Sequence, residues 1–284
     1  MQFLFRLLSF LPLWLLHALG TLIGWLSYGS PAYRRRFAEN AAQAGYTTAQ
    51  VRTAVAEGGK LVAELPRLWM GRPVNVQWEG DHLIEAAHRA GKAIVFLTPH
   101  MGCFEITAQA YARRYQAEGK SITVLFRPAR KAWLAPLVDS VRNRAGLQAA
   151  PANLSGVKQL IKALQNGQAV GLLPDQVPPL GLGVWSPFFG RSAYTMTLSV
   201  RLALQPNTVV VLAWGERLSA GRGYVVHLRP FPEVMSSKQE VAVAQVNRAM
   251  EQIIRECPGQ YLWGYARYKS PREDRMDQQR SKAS

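Results

Sequence analysis

Apolar positions along the chain form short strand-like runs separated by stretches with helical spacing. Runs rich in β-branched and aromatic residues predict five strands, at residues 93–98, 122–126, 169–173, 208–214 and 224–228. Apolar positions three and four residues apart predict helices at 81–90, 104–117, 133–145, 154–166 and 194–204. This alternation predicts an α/β fold in which helices cover a mixed, largely parallel sheet.

Two longer helical segments flank this alternating region. Residues 47–70 carry apolar side chains at mixed three- and four-residue spacings, and residues 238–255 form the last predicted helix. No repeat or linker interrupts the sequence, so we expect a single domain over residues 30–270. The tail at 271–284 is charged and lacks apolar periodicity, which is typical of disorder.

The N-terminal segment is the most apolar part of the chain. Residues 3–28 carry one formal charge, at Arg6, and are rich in Leu, Phe and Trp. We predict that residues 1–29 form a membrane-anchor helix. Because Arg6, Pro12 and His17 weaken a simple spanning helix, a tilted helix or one lying in the membrane interface is also open. A secretory signal peptide is disfavoured, since the apolar run is too long and no cleavage site stands out. Three arginines at 34–36 place the main body in the cytoplasm by the positive-inside rule.

The overall charge points to an anionic partner. A net charge of +16 and a pI near 10.3 fit either nucleic acid or a membrane surface with its phosphorylated lipids. Only two cysteines occur, Cys103 and Cys257, without metal-ligand spacing around either. We therefore predict neither a disulfide framework nor a zinc site, and a reducing, cytoplasmic setting.

His100 and Glu105 directly follow the first predicted strand, where an α/β sheet delivers catalytic groups. Within one helix, five residues at 100° each would place the two side chains about 140° apart, so the histidine is expected before the helix and Glu105 in its first turn. There the helix dipole favours an ionised carboxylate, which can hold and polarise the imidazole. Cys103 is a rival nucleophile. It is disfavoured because its position in the turn directs the thiol into packing.

Two further polar loops follow predicted strands. The loop after the second strand supplies three cations, Arg127, Arg130 and Lys131, and the loop after the third supplies Asp175 and Gln176. If the strands are parallel, both loops converge with His100 at one sheet edge. Guanidinium groups suit phosphate or carboxylate recognition, and an arginine here could pair with Asp175. A solvated basic loop and a plain turn aspartate are the simpler alternatives.

Together these blocks resemble the lysophospholipid-acyltransferase superfamily and, within it, the late lauroyl and myristoyl acyltransferases of lipid A biosynthesis. The resemblance covers nearly the whole chain. It rests on the apolar N-terminus, the His-x-x-x-x-Glu block at 100–105, Arg-Pro at 127–128, the block at 174–190 and the aromatic segment at 261–269. One such block is weak, whereas the family's order of blocks is specific.

The resemblance implies a glycerolipid-acyltransferase-like fold and transfer of a fatty acyl group from a thioester to a lipid hydroxyl. His100 would be the general base and Glu105 would orient it. The residues implied to contact substrate are Arg127, Asp175, Gln176, Arg130 and Lys131. No covalent intermediate, cofactor or metal is implied. The run Ala129-Arg130-Lys131 departs from the family's commoner Asn-containing run, so the contact made there is left open.

The implied partners are acyl carrier protein as donor and a phosphorylated glucosamine lipid as acceptor. Both are anionic, which suits a basic protein at the cytoplasmic face of the inner membrane. Three alternatives stay open: a glycerophospholipid or another glycolipid acceptor, a thioesterase in which water replaces the acceptor, and a basic binding protein. Nucleic acid is not expected, because no basic helix or aromatic-interleaved RNA-binding motif occurs.

Overall fold

The computed structural model describes residues 2–126 and 145–271. Within them a seven-stranded sheet has the order β1-β9-β8-β2-β5-β3-β4, and a separate hairpin pairs β6 with β7. The strands are β1 Val76–Glu79, β2 Ala93–Leu97, β3 Ile122–Phe126, β4 Leu147–Pro151, β5 Ala169–Leu172, β6 Gly183–Phe188, β7 Arg191–Met196, β8 Thr208–Arg217 and β9 Tyr224–Pro230. The pairings β8–β2, β2–β5, β5–β3 and β3–β4 are parallel and β8–β9 is antiparallel, which confirms the predicted mixed, largely parallel sheet.

Helices cover both faces of this sheet. They are α1 Gln2–Phe10, α2 Leu13–Tyr28, α3 Pro31–Gln43, α4 Thr53–Ala63, α5 Leu65–Met70, α6 His82–Arg89, α7 Phe104–Tyr115, α8 Leu154–Gln165, α9 Leu198–Ala203 and α10 Gln239–Glu256. Alternation along β2 separates the two cores. Val95 and Leu97 pack in the core that contains α8 and α10, whereas Ile94 and Phe96 pack in the core that contains α6 and α7.

All five predicted strands are present, but four others were not predicted: β1 and β4 of the main sheet, and β6 and β7 of the hairpin. The helix predicted over 194–204 is partly wrong, because residues up to Met196 pair with β6 and only Leu198–Ala203 is helical. The single helix predicted over 47–70 is two helices, α4 and α5, and α3 was missed. The helix predicted over 133–145 and the predicted disordered tail lie almost entirely outside the described residues.

A single anchor helix over residues 1–29 is not supported by the structure. The segment breaks after Phe10, and Pro12 stands at the N-terminus of α2. At 16 residues α2 is about 24 Å long, shorter than the roughly 30 Å hydrocarbon core of a bilayer. In the part of the chain that the structure describes, we find no helix with both the length and the apolar composition to cross a membrane.

Instead, α2 is docked on α4 through glycines. A Cβ atom on Gly24 would overlap the carbonyl oxygen of Val55, and one on Gly59 would overlap the carbonyl oxygen of Gly20. Such close backbone approach leaves no room for a side chain. The same face of α2 buries His17, whose Nε2 lies 3.2 Å from Oε2 of Glu64 in α5's N-terminal turn. The N-terminal helices are thus an integral layer of the domain.

Candidate active site

Strand register brings two predicted site residues level at one sheet edge. β2 and β5 are parallel neighbours in which Leu97 pairs with Leu172. His100 and Asp175 each lie three positions beyond these paired residues, so both follow their strands to the same height. This confirms the expectation that the first and third loops converge at the carboxyl edge of the sheet.

Asp175 holds His100 at two points. Its Oδ2 accepts the backbone N–H of His100 at 2.8 Å, and its Oδ1 lies 2.6 Å from Nδ1 of the imidazole. Burial alone would raise the pKa of the Asp175 carboxyl. The neighbouring His100 charge and its hydrogen bonds outweigh burial and hold that pKa below its usual value. An ionised carboxylate only accepts, so Nδ1 carries the proton and Nε2 is left as the basic nitrogen of the neutral ring.

The imidazole is accessible whereas its partner is not. The His100 side chain is 16% exposed and that of Asp175 is 2% exposed. The ring of Phe104 at the start of α7 packs against the His100 ring, with centroids 5.1 Å apart. The imidazole is therefore the exposed member of the pair, and the predicted substrate contact of Asp175 stays a prediction.

Glu105 occupies the first turn of α7, as predicted. The side-chain hydrogen bond that the structure shows at the His100 ring comes from Asp175, 75 residues away, instead of from Glu105. The predicted pairing of Glu105 with His100 stays a prediction. Gln176, beside Asp175, is half-buried. Arg127, Arg130 and Lys131 lie outside the described residues, directly after β3, which is the other parallel neighbour of β5.

The turn that carries His100 is clamped by the backbone. Gly102 has φ +54 and a Cβ there would overlap the carbonyl oxygen of Gly215, so glycine is required. The N–H of Gly102 donates to the carbonyl of Gln260 at 2.9 Å, and the N–H of Cys103 donates to the carbonyl of Gly215 at 2.7 Å. The carbonyl of His100 itself accepts the N–H of Leu262 at 3.1 Å.

A buried charge cluster reaches the same turn. Arg217, at the end of β8, donates from Nη2 to the carbonyl of Gly102 at 2.8 Å. Its guanidinium also donates to Glu64 at 2.6 and 2.8 Å and to Glu57 at 2.5 Å. Burial would raise the pKa of Glu64, but Arg217 outweighs it and lowers that pKa to about 2. The hydroxyl of Tyr224 donates to Glu64 at 2.9 Å.

The aromatic segment at 261–269 forms a second support that received no role in the sequence analysis. The N–H of Val177 donates to the hydroxyl of Tyr265 at 3.0 Å, which fixes the loop after Asp175. Burial, and then the charge of Asp175, raise the pKa of Tyr261 well above its usual value, so its hydroxyl stays protonated. Arg217 also went unnoticed, although an arginine close to an apolar strand-like run is a signal of a buried ion pair.

Cys103 is unsuited to the nucleophile role. The residue is 1% exposed. Burial, and then the charge of Glu64, raise the pKa of its thiol well above the usual value. The reactive form of cysteine is the thiolate, which this environment suppresses. The geometry therefore favours His100 acting as a base without a covalent enzyme intermediate.

Comparison with known proteins supports the resemblance. The sequence model of the family described as bacterial lipid A biosynthesis acyltransferase matches residues 3–270. The chain is 22% identical over 204 residues to lipid A biosynthesis acyltransferase 2 of Shigella flexneri, covering 71% of this chain and 63% of that protein. It is 28% identical over 175 residues to the lipid A biosynthesis lauroyltransferase of Escherichia coli K12 (60% and 55% covered), and 23% identical over 189 residues to the myristoyltransferase of the same strain (66% and 57% covered). The matches thus span between 55% and 63% of the length of these relatives.

Proposed function

Because this chain belongs to the bacterial lipid A biosynthesis acyltransferases, we propose that it transfers a fatty acyl group from an acyl-carrier-protein thioester to a hydroxyl of a lipid A precursor. The observation that carries the proposal is the His100–Asp175 pair, level at the carboxyl edge of the sheet with the imidazole accessible. Relatives named as lauroyl- and myristoyltransferases support the acyl-transfer chemistry.

His100 acts as the general base in this proposal. Nε2 removes the proton from the acceptor hydroxyl, and the freed oxygen attacks the thioester carbonyl to form a C–O bond. The C–S bond then breaks, and the thiolate leaves with the proton that the imidazolium returns. Base assistance of this kind contributes on the order of 10² to 10⁴ in rate. Asp175 holds the tautomer and stabilises the imidazolium.

The remaining site residues have proposed roles around this centre. Glu105, in the first turn of α7, is proposed to orient and charge-balance His100. Gln176 and the loop cations Arg127, Arg130 and Lys131 are proposed substrate contacts. The N–H groups of Gly102 and Cys103 already donate within the fold, so they are not the donors for the transition-state oxyanion. A guanidinium of the loop after β3 suits that task.

We further propose that α1 and α2 lie on the cytoplasmic face of the inner membrane without crossing it. Large apolar side chains are exposed on the side of these helices that α4 and α5 leave uncovered. They are Leu7, Phe10, Trp14, Leu19, Leu22, Ile23, Trp25 and Leu26. Such a continuous apolar patch is typical of an interfacial helix, and the positive charge of the chain attracts it to anionic lipid. A membrane-borne acceptor would be delivered at this surface.

The test is acyl transfer by the purified full chain to a lipid A precursor in mixed micelles. We expect His100→Ala to reduce transfer by about 10² or more, and Asp175→Asn to reduce kcat with little change in KM because the carboxylate orients the base. Transfer at the parent rate by His100→Ala would refute the general-base role. Release of free fatty acid faster than lipid acylation would instead identify a thioesterase.

A further inference from the structure

A cavity lies along α7, and the His100 ring is not part of its described lining. Its volume is about 270 Å³, close to the roughly 300 Å³ at which pockets for drug-sized ligands begin. One wall is formed by α7 from Ile106 to Arg113, about 10 Å along the helix axis, and by Gln116 just beyond the end of the helix. The opposite wall comes from the end of α5 and the segment that leads into β1.

The cavity is lined by three guanidinium groups, of Arg67, Arg72 and Arg113. Among its described lining residues none is acidic. Arg72 and Arg113 are exposed, and neither makes an ion pair or side-chain hydrogen bond in the described part of the chain. The adjacent Arg114, by contrast, pairs with Asp81 at 2.8 Å. The positive charge of the cavity is therefore not neutralised by these residues of the protein.

Arg67 is fixed in the wall of the cavity by α1. Its Nη1 donates to the carbonyl of Ser9 at 3.2 Å. Its Nη2 is not buried and makes no hydrogen bond within the described residues, so this is the Arg67 nitrogen that an anion in the cavity can reach.

Apart from Gln109 and Gln116, the rest of the described lining is apolar. Its lining includes Leu68, Val74, Val76, Ile106 and Leu147. Arg67 is fixed by α1, and α1 exposes Leu7 and Phe10, at 50% and 68%, as part of the proposed membrane-facing patch. The cavity thus adjoins a helix expected to contact lipid.

We propose that this cavity binds a phosphate group of the membrane-borne lipid acceptor, with Arg72, Arg113 and Arg67 as donors and the first carbons of its chains on the apolar wall. This inference rests on the proposed function. Guanidinium forks match phosphate oxygens in pairs. An acyl chain alone would leave three cations without a counter-charge, and an acidic protein surface would not need an apolar concavity.

The test compares Arg72→Gln/Arg113→Gln with the control Arg89→Gln/Arg201→Gln. The control removes the same charge from two exposed arginines that do not line the cavity. Transfer is measured with a phosphorylated acceptor and with the same acceptor after phosphatase treatment. We expect the cavity pair to raise KM for the phosphorylated acceptor by about tenfold or more, without change in kcat or in KM for the dephosphorylated lipid. The control pair should leave all four values at the parent level.

Vesicle binding gives a readout that does not need catalysis. The cavity pair should lose the preference of the parent for phosphatidylcholine vesicles that contain phosphatidic acid, and the control pair should keep it. An equal loss in both pairs, or an equal rise in KM for both acceptors, would overturn the inference. Inorganic phosphate that raises the parent Tm as much as the lipid does would assign the site to free phosphate and overturn it too. A parent chain that transfers no acyl group refutes the proposed function, while vesicle binding still tests the cavity.

Discussion

Replacing Glu64 by Gln should destabilise the fold strongly, because Arg217 would keep its buried charge and lose its main partner. The guanidinium and the Glu64 side chain are each 1% exposed, so water cannot take over the lost interaction. Lowering a carboxyl pKa from 4.5 to about 2 corresponds to roughly 3 kcal/mol at about 1.4 kcal/mol per pH unit. Breaking one side of a buried ion pair typically costs about 3 to 5 kcal/mol, so both routes give a similar loss.

The same pKa sets a pH dependence of the free energy of unfolding. A carboxyl whose pKa is depressed by folding stabilises the protein fully above its unfolded value near 4.5. That contribution declines as the pH falls from about 4.5 towards about 2. Denaturant titrations at several pH values should show this decline in the parent. The decline should be shallower in the Glu64→Gln variant, which keeps only the part due to other carboxyls with lowered pKa, such as Asp175.

A double variant separates the buried charge from mere disruption of packing. Glu64→Gln/Arg217→Gln removes both charges, so we expect it to be more stable than Glu64→Gln alone despite carrying an extra substitution. Denaturant midpoints of the parent, both single variants and the double variant give the coupling energy. A loss under about 1 kcal/mol for Glu64→Gln, or a double variant less stable than both singles, would refute the reasoning.

Two other predictions concern the N-terminal layer. Gly59→Ala should lower Tm by several degrees, because the new Cβ would overlap the backbone of Gly20. The adjacent Gly58→Ala is the control and should be neutral or slightly stabilising, since its Cβ would lie 3.5 Å or more from its neighbours. Equal Tm values for the two variants would contradict the close packing of α2 on α4. Leu22→Ser/Leu26→Ser should weaken binding to anionic vesicles by about tenfold or more, as measured by co-sedimentation. The control Val234→Ser, at an apolar residue that is 94% exposed elsewhere, should leave binding unchanged. Unchanged binding by the Leu22/Leu26 variant would refute the proposal that this face contacts the membrane.

Local sequence pattern predicted the strands that carry the candidate site but not the hydrogen bond between Asp175 and the His100 imidazole. Residues 93–98 and 169–173 are apolar runs that any period analysis finds. The two strands are adjacent, with Leu97 opposite Leu172. This adjacency depends on the order of the whole sheet, so it cannot be predicted from a short stretch of sequence. Glu105 was predicted to hold the His100 ring because it follows in the first turn of the next helix, and that pairing stays a prediction. Asp175 was found among the converging loops, yet its bond to His100 follows only from the register.

In the N-terminal segment, by contrast, apolar composition predicted a membrane anchor but did not predict that the segment packs on the rest of the domain. Its apolar side chains were expected to lie in or on a membrane, whereas Leu13 and Leu16 are buried in the protein. Hydropathy does not say which faces are covered by protein, and here Gly20 and Gly24 pack on α4 while the outer face is left exposed. His17 was noted only as a weakness of a spanning helix. Its burial against Glu64 shows that it belongs to the docking face.

The charge cluster joins these two parts of the molecule. His17 of α2 contacts Glu64, Glu64 binds Arg217, and Arg217 donates to the carbonyl of Gly102 in the turn that holds His100. Each link is a buried hydrogen bond at 2.6 to 3.2 Å, so a shift of the helix or of the turn relative to the other would break at least one buried hydrogen bond. A helix that served only as a tether would leave the orientation of the site to a linker. Since α2 is instead part of the domain, an apolar outer face resting on a bilayer would fix the orientation of the His100 turn relative to the lipid surface.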